Sequence, residues 1–359
     1  MKKLKTIIIA LLSIISVGML SGCFFEGEQT LEKMDVPEEN METTGVTESD
    51  EMPDSEDGED GESEVEEESS QTVERELYLM DANGMIVPQS FELPASKEVA
   101  TQALEYLVKD GPVTNLLPDG FQAVLPAGTE ILGLNSTGDG TLVVDVSEEF
   151  RDYEPQEEEK ILQAMTYTLT QFEGVERIKL WINGHEQTVM PVDGTPIHKG
   201  VSRADGINHY VGDNIDVLDS EAVTVYFPSQ HDENTYHVPV TTRIKKGEDL
   251  YSSVVQALLD GPAIGSALLQ PFNDQAEVLK TELNNGVLSV SFNEALLTGE
   301  DQPSLSDHAL SSLVMSLTDF QEVEAVEVQV DGADQVVNEW GQPITEPVSR
   351  SDLQQAEEL

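Results

Sequence analysis

Two aspartates stand directly before Gly-Pro: Asp110 in "KDGPV" and Asp260 in "LDGPA". A recurring acid is what glycoside hydrolysis would use, one carboxyl group protonating the leaving oxygen while another acts from the opposite face. The local sequence offers a plainer role. Gly suits the left-handed position after a helix and Pro cannot continue one, so Asp110-Gly111-Pro112 and Asp260-Gly261-Pro262 read as helix stops. Acids make up 70 of the 359 residues, so a pair of them says little, and the plainer role is the expectation.

A second recurring group is basic. "PIHKGVSRAD" and "PITEPVSRSD" place Arg203 and Arg350 147 residues apart, each two residues ahead of an aspartate, Asp205 or Asp352. A guanidinium there can make a local charge-assisted contact or bond exposed carbonyls. We expect these arginines to close a fold; the competing expectation is contact with a partner.

Other chemistry is sparse. There is no Gly-x-Ser-x-Gly elbow, Walker loop or His-Glu-x-x-His. "GLNSTGDG" reads as a hairpin rather than the strand-to-helix turn that binds phosphate. None of the six histidines, His185, His198, His209, His231, His237 and His308, stands at helix-ligand spacing with another. The acidic run "DSEDGEDGE" lacks the spaced ligands of a calcium loop. No catalytic, cofactor or metal site is expected.

The single cysteine, Cys23, is the exception. A basic start, Met1-Lys2-Lys3-Leu4-Lys5, precedes an apolar run of 14 residues, Ile7 to Leu20, which ends in Leu20-Ser21-Gly22-Cys23. That is the pattern of a secretory signal peptide, and the run is short for a membrane span. Its end resembles a bacterial lipobox, in which the cysteine receives the lipid. Acyl chains such as palmitate would then anchor the mature protein on the outer face of the cytoplasmic membrane.

The elements behind these residues follow from patterning. Residues 24–73 hold twenty Asp or Glu against the single Lys33, which reads as a disordered acidic tether. Beyond it the chain repeats itself. Leu162, Met165, Leu169 and Phe172 answer Leu310, Leu313, Leu317 and Phe320; Ile178, Leu180 and Ile182 answer Val326, Val328 and Val330. A period near 148 means two tandem domains rather than a solenoid. Each copy reads strand, strand, helix, strand, strand, helix, strand.

The expected class is α+β: two tandem two-layer sandwiches, each a small mixed sheet with two helices on one face. The expected boundaries are a signal peptide at 1–22, a tether at 23–73, a first domain at 74–205, a linker at 206–220, a second domain at 221–352 and a tail at 353–359.

Residues 74–359 carry fifty acids against fourteen bases. Nucleic acid is excluded as a partner, and an anionic membrane surface would repel these domains. The acidity suits solubility in a salty or alkaline exterior, or a basic partner.

The lipobox, the acidic arm, the paired Asp-Gly-Pro corners and the Val-Ser-Arg closures together resemble the GerM family of sporulation and spore-germination lipoproteins. The resemblance implies a fold related to ring-building motifs and offers no catalytic residues. It implies a non-enzymatic protein that assembles or stabilises an envelope complex during sporulation. A peptidoglycan-binding or peptidoglycan-modifying protein is the alternative, and a solute-binding lipoprotein a second.

Overall fold

The computed structural model describes residues 72–210, 217–247, 249–299 and 303–357. Cys23, the apolar leader and almost all of the acidic stretch lie outside them. Among the described residues no helix is long and apolar enough to cross a membrane.

The first module opens with an antiparallel hairpin, β1 (Thr72–Met80) and β2 (Ile86–Pro94), so the ladder begins two residues inside the stretch read as tether. Helix α1 (Val99–Glu105) follows, then β3 (Ile131–Ser136), β4 (Thr141–Val146), α2 (Glu158–Leu169) and β5 (Arg177–Ile182). Two short strands, β6 (His185–Glu186) and β7 (Val201–Ser202), pair antiparallel with β5. The second module repeats the order: β8 (Ser220–His231), β9 (Asn234–Lys245), α3 (Leu250–Asp260), β10 (Val278–Asn284), β11 (Val287–Phe292), α4 (Asp307–Leu317) and β12 (Ala325–Val330). The expected tail is instead largely helical, α5 (Arg350–Glu357).

The class is α+β, with the strands of each module in two groups: the hairpin, and a mixed sheet, five-stranded in the first module, where β6 and β7 join β3, β4 and β5, and three-stranded in the second. In the first sheet β3 runs antiparallel to β4, and β4 runs parallel to β5. A parallel pair needs a crossover, and α2 supplies it. The helix lies between the two groups of strands. Leu162 and Met165 meet Ile178 and Leu180 of the sheet. On the other side the Tyr167 ring sits 5.3 Å from that of Tyr78 in the hairpin. With partners on both sides, every residue from Ile161 to Leu169 is buried. In β5, Ile178, Leu180 and Ile182 are buried while Lys179 and Trp181 are not, the alternation of a strand with one covered face.

Turns follow their residues. Asn285 and Gly286, at φ +50° and +82°, reverse the chain between β10 and β11 as a two-residue hairpin turn demands.

The two Asp-Gly-Pro corners differ. Gly261 takes φ +83° directly after α3, which is the expected glycine stop. In the first module α1 ends at Glu105, and Asp110 itself takes the left-handed conformation at φ +61°. Gly111 is needed there for a different reason: a Cβ would meet the Val108 carbonyl oxygen at 2.8 Å.

Candidate functional site

The recurring arginines converge on the junction of the two modules. Arg203 Nε donates to Thr170 Oγ1 at 3.0 Å, and its Nη2 donates to the Tyr167 carbonyl at 3.2 Å. Its guanidinium lies 4.8 Å from the centre of the Tyr167 ring and 5.9 Å from that of Tyr78. Arg350 repeats part of the arrangement in the second module, donating from Nη2 to the Met315 carbonyl at 2.7 Å and lying 5.2 Å from the centre of the Tyr226 ring, while its buried Nε has no partner among the described residues. Of the two roles read from the sequence, bonding of carbonyls is the one adopted. The neighbouring acids serve the turn instead: Asp205 accepts from the Ser202 N–H and Asp352 from the Ser349 N–H, both at 2.8 Å.

The same spacing organises the buried hydroxyls. The Tyr78 N–H donates to Thr168 Oγ1 at 3.0 Å, and the Tyr226 N–H to Ser316 Oγ at 2.9 Å. Both phenol groups are buried, which pushes their ionisation up, that of Tyr78 well up, and neither hydroxyl has a hydrogen-bond partner among the described residues. Asp319 of α4's C-terminal turn reaches across the boundary to Arg203 Nη1 at 3.9 Å. Burial raises its carboxyl; Arg350 and Arg203 draw it partly back.

Asn208, inside the stretch read as a linker, is the hinge pin of the junction. It is buried at φ +44°, an uncommon conformation that Asn tolerates best among non-glycine residues. Its Oδ1 accepts from the Ile86 N–H at 2.9 Å, and its Nδ2 donates to the carbonyls of Ile86 at 2.7 Å and Pro239 at 2.9 Å. One amide thereby ties β2 of the first module to β9 of the second. Beside it Ile207 exchanges bonds with Thr241 of β9. The long β8–β9 hairpin adds Tyr236, whose hydroxyl donates to the buried Asp81 at 2.8 Å and whose ring stacks edge-on with Phe121 at 4.9 Å.

Glu158 shows what a buried acid does here. Its carboxylate accepts from the N–H groups of Val192, Asp193 and Thr195 and from the Tyr153 hydroxyl, all at 2.7–3.0 Å. Burial works to raise its ionisation, yet these donors outweigh burial and hold it below the usual range. It anchors the loop after β6.

Neither repeated aspartate acquires such surroundings. Asp110 is exposed, and the Asp260 carboxylate accepts from the Gln256 side chain at 2.8 Å. Gly261 and Pro262 border a hollow of about 130 Å³ together with Met85, Asn208 and Tyr210. The fold does bring two histidines together that the sequence spacing kept apart: the rings of His237 and His308 lie 5.9 Å from each other. His237 is buried, which depresses its ionisation to about 4. No group of three or more potential metal ligands occurs among the described residues.

The sequence reading missed Tyr78, Tyr226, Thr168 and Ser316, although each pair sits at the repeat's own offset of 148. Asn208 lies between the repeats and has no counterpart to betray it.

Two copies of one α+β module, packed through recurring tyrosine, hydroxyl and arginine positions, define a tandem-repeat protein whose shared polar residues hold its own fold. The chain belongs to the Germane family, "Sporulation and spore germination", whose model matches residues 76–188 and 224–336. It is 39% identical over 344 residues to the spore germination protein GerM of Bacillus subtilis (strain 168), covering 93% of each chain. The structure matches the solved tandem GerMN domains of the sporulation protein GerM from Bacillus subtilis, with a TM-score of 0.72 and 42% identity, over 78% of this chain and 98% of that one. These findings give the protein a role in sporulation and spore germination.

Proposed function

We propose that the protein is a non-enzymatic lipoprotein, anchored through Cys23 outside the cytoplasmic membrane, that assembles or stabilises an envelope protein complex during sporulation. One observation carries this reading. The polar side chains that recur between the modules, Arg203 with Arg350 and Thr168 with Ser316, are engaged in intramolecular contacts at the junction. The recurring acids stand apart, Asp260 at the end of α3 and the exposed Asp110 in the turn beyond α1. A duplicated catalytic site would repeat its reactive groups in an open cleft, with a positioned acid and base.

A chain so acidic is repelled by anionic lipid, so a covalent lipid is the physically reasonable attachment. The acidic stretch then holds the modules away from the membrane, since like charges extend a chain.

The enzymatic alternative is tested on isolated cell-wall sacculi. The purified protein should release no muropeptides. Release that disappears in Asp110→Asn or Asp260→Asn would contradict a non-enzymatic role. In cells, Cys23→Ala should move the protein out of the membrane fraction and reproduce the sporulation or germination defect of a deletion.

A further inference from the structure

The second module carries an exposed tryptophan that packing does not explain. Trp340 leaves 80% of its surface open. It sits at the tip of a small hairpin after β12, where Val337 pairs with Pro343. The tip is fixed rather than loose. Asn338 Oδ1 accepts from the N–H groups of Trp340 at 3.1 Å and Gln342 at 2.8 Å, and the Asn338 N–H donates to the Gln342 carbonyl at 2.9 Å. The indole Nε1 donates to Asp307 Oδ2 of α4 at 3.2 Å, which sets the ring's orientation. A rigid, exposed indole with its polar edge already engaged presents its face to solvent.

The stretch of chain that carries it has charge of one sign. Residues 281–349 contain thirteen Asp or Glu and no Lys or Arg. The corresponding stretch of the first module, 134–202, holds five bases: Arg151, Lys160, Arg177, Lys179 and Lys199. The asymmetry is local to this half of the second module, so general solubility does not account for it. Glu339, beside the indole, and Asp334 are both exposed.

We propose that the Trp340 hairpin and its exposed acids, Asp334 and Glu339, dock a basic segment of a partner protein, with a Lys or Arg side chain over the indole face. An indole is the best aromatic acceptor for such a cation, and a tryptophan anchor is typical of interface hot spots. The carboxylates of Glu339 and Asp334 speed and orient the encounter. A second copy of the chain does not fit, because it brings the same negative charge. This inference rests on the assembly reading above and gives that reading a binding face.

The probe is a dye-labelled twelve-residue peptide of alternating Arg and Gly, titrated into the purified full-length protein at low and physiological salt. Binding should saturate and weaken steeply with salt. Trp340→Ala should raise Kd at least 5-fold with no change of net charge or melting temperature, and Trp340→Phe should recover part of that loss. Asp334→Asn with Glu339→Gln should also weaken binding. Glu130→Gln with Glu173→Gln, which removes the same charge from exposed positions of the first module, should leave Kd unchanged. Equal Kd for the wild type and Trp340→Ala, or equal losses from the two charge pairs, would overturn the proposal. So would displacement of the peptide by millimolar calcium but not by sodium of matched ionic strength, which would indicate a cation site. Any of these results leaves the assembly reading standing, because that reading is tested on membranes and not on the peptide.

Discussion

Arg203 of the first module and Asp319 of the second face each other at 3.9 Å across the junction, and each side chain is about one-third exposed or less. The distance is long for a direct hydrogen bond. Arg203's short bonds go instead to the end of its own helix, at Thr170 and Tyr167. The ion pair therefore adds a weak cross-module attraction to an arginine that is chiefly a cap on α2.

That division of labour predicts unequal mutational effects. Arg203→Ala takes a donor from the Tyr167 carbonyl and the neighbouring cation from Asp319, and should cost about 2–3 kcal/mol. For a folded unit of this size that is a fall of roughly 5–10 °C in melting temperature. Arg203→Lys should rescue little, since an ammonium cannot reproduce two forked contacts and ring stacking. The coupling energy between Arg203→Ala and Asp319→Asn in a double-mutant cycle should stay below about 1 kcal/mol. Thermal unfolding of the wild type, Arg203→Ala, Arg203→Lys, Asp319→Asn and the double mutant measures all three quantities. An unchanged melting temperature for Arg203→Ala would move the Val-Ser-Arg motif back toward partner contact.

Asn208 should be the most sensitive position of the junction. Asn208→Ala removes three short bonds at a buried site, and it also puts a Cβ without a compensating amide at φ +44°. We expect a loss of about 3 kcal/mol. Asn208→Gly relieves the backbone but not the bonds, so it should be no less than 1 kcal/mol milder, on the order of a single strained residue. Limited proteolysis should detect loosened modules in Asn208→Ala before any global unfolding.

The glycines of the two corners should fail for different reasons. Gly111→Ala has an ordinary φ but drives a methyl group into the Val108 carbonyl at 2.8 Å. Gly261→Ala would place an alanine at φ +83°, its methyl group meeting only the movable end of the Gln270 side chain, at 2.7 Å. Each should lose about 1–3 kcal/mol. Gly111→Asn should be as damaging as Gly111→Ala, whereas Gly261→Asn should be milder than Gly261→Ala, because Asn tolerates the left-handed region. Denaturant unfolding of the four variants separates clash from strain.

Stability should fall with acid in two stages. His237 is held near 4, below its ordinary value of 6.5, so the unfolded chain binds its proton first. Its contribution is complete above pH 6.5 and is lost as pH falls toward 4, on the order of 3 kcal/mol. Glu158 is also held below its ordinary value, so its contribution is present above that value and disappears as pH falls through its folded one. His237→Gln should flatten the first stage, between pH 6.5 and 4, without moving the second. An unaltered slope in that window would show that His237 is not its source.

The residues that alternate or recur announced most of the fold. Ile178, Leu180 and Ile182 alternate because β5 has one covered face, and the Leu162–Met165 spacing follows from a helix lying on that sheet. Local period does not say which strands pair, so the separation of each hairpin from the sheet that follows it was not legible. Nor was the second covered side of α2, where Tyr167 and Thr168 meet the hairpin, because neither residue is apolar enough to extend the stripe; nor were the short strands β6 and β7 that widen the first sheet to five. Asn208 and Glu158 were invisible for another reason. Their roles depend on backbone groups brought from residues 31 to 122 positions away, and no pattern in the neighbouring sequence records that. The arginines were legible as a repeat, and their partners, helix-end carbonyls and tyrosine rings, were not.

The most direct measurement is affinity capture of the full-length protein from solubilised membranes of sporulating cells, beside Cys23→Ala and Trp340→Ala. A non-catalytic, lipid-anchored assembly protein should bring down the same envelope proteins in fixed proportion. Cys23→Ala should lose them from the membrane fraction, and Trp340→Ala should retain the membrane but lose at least one partner. Recovery of no envelope protein with the wild type, together with muropeptide release from sacculi, would contradict the assembly role.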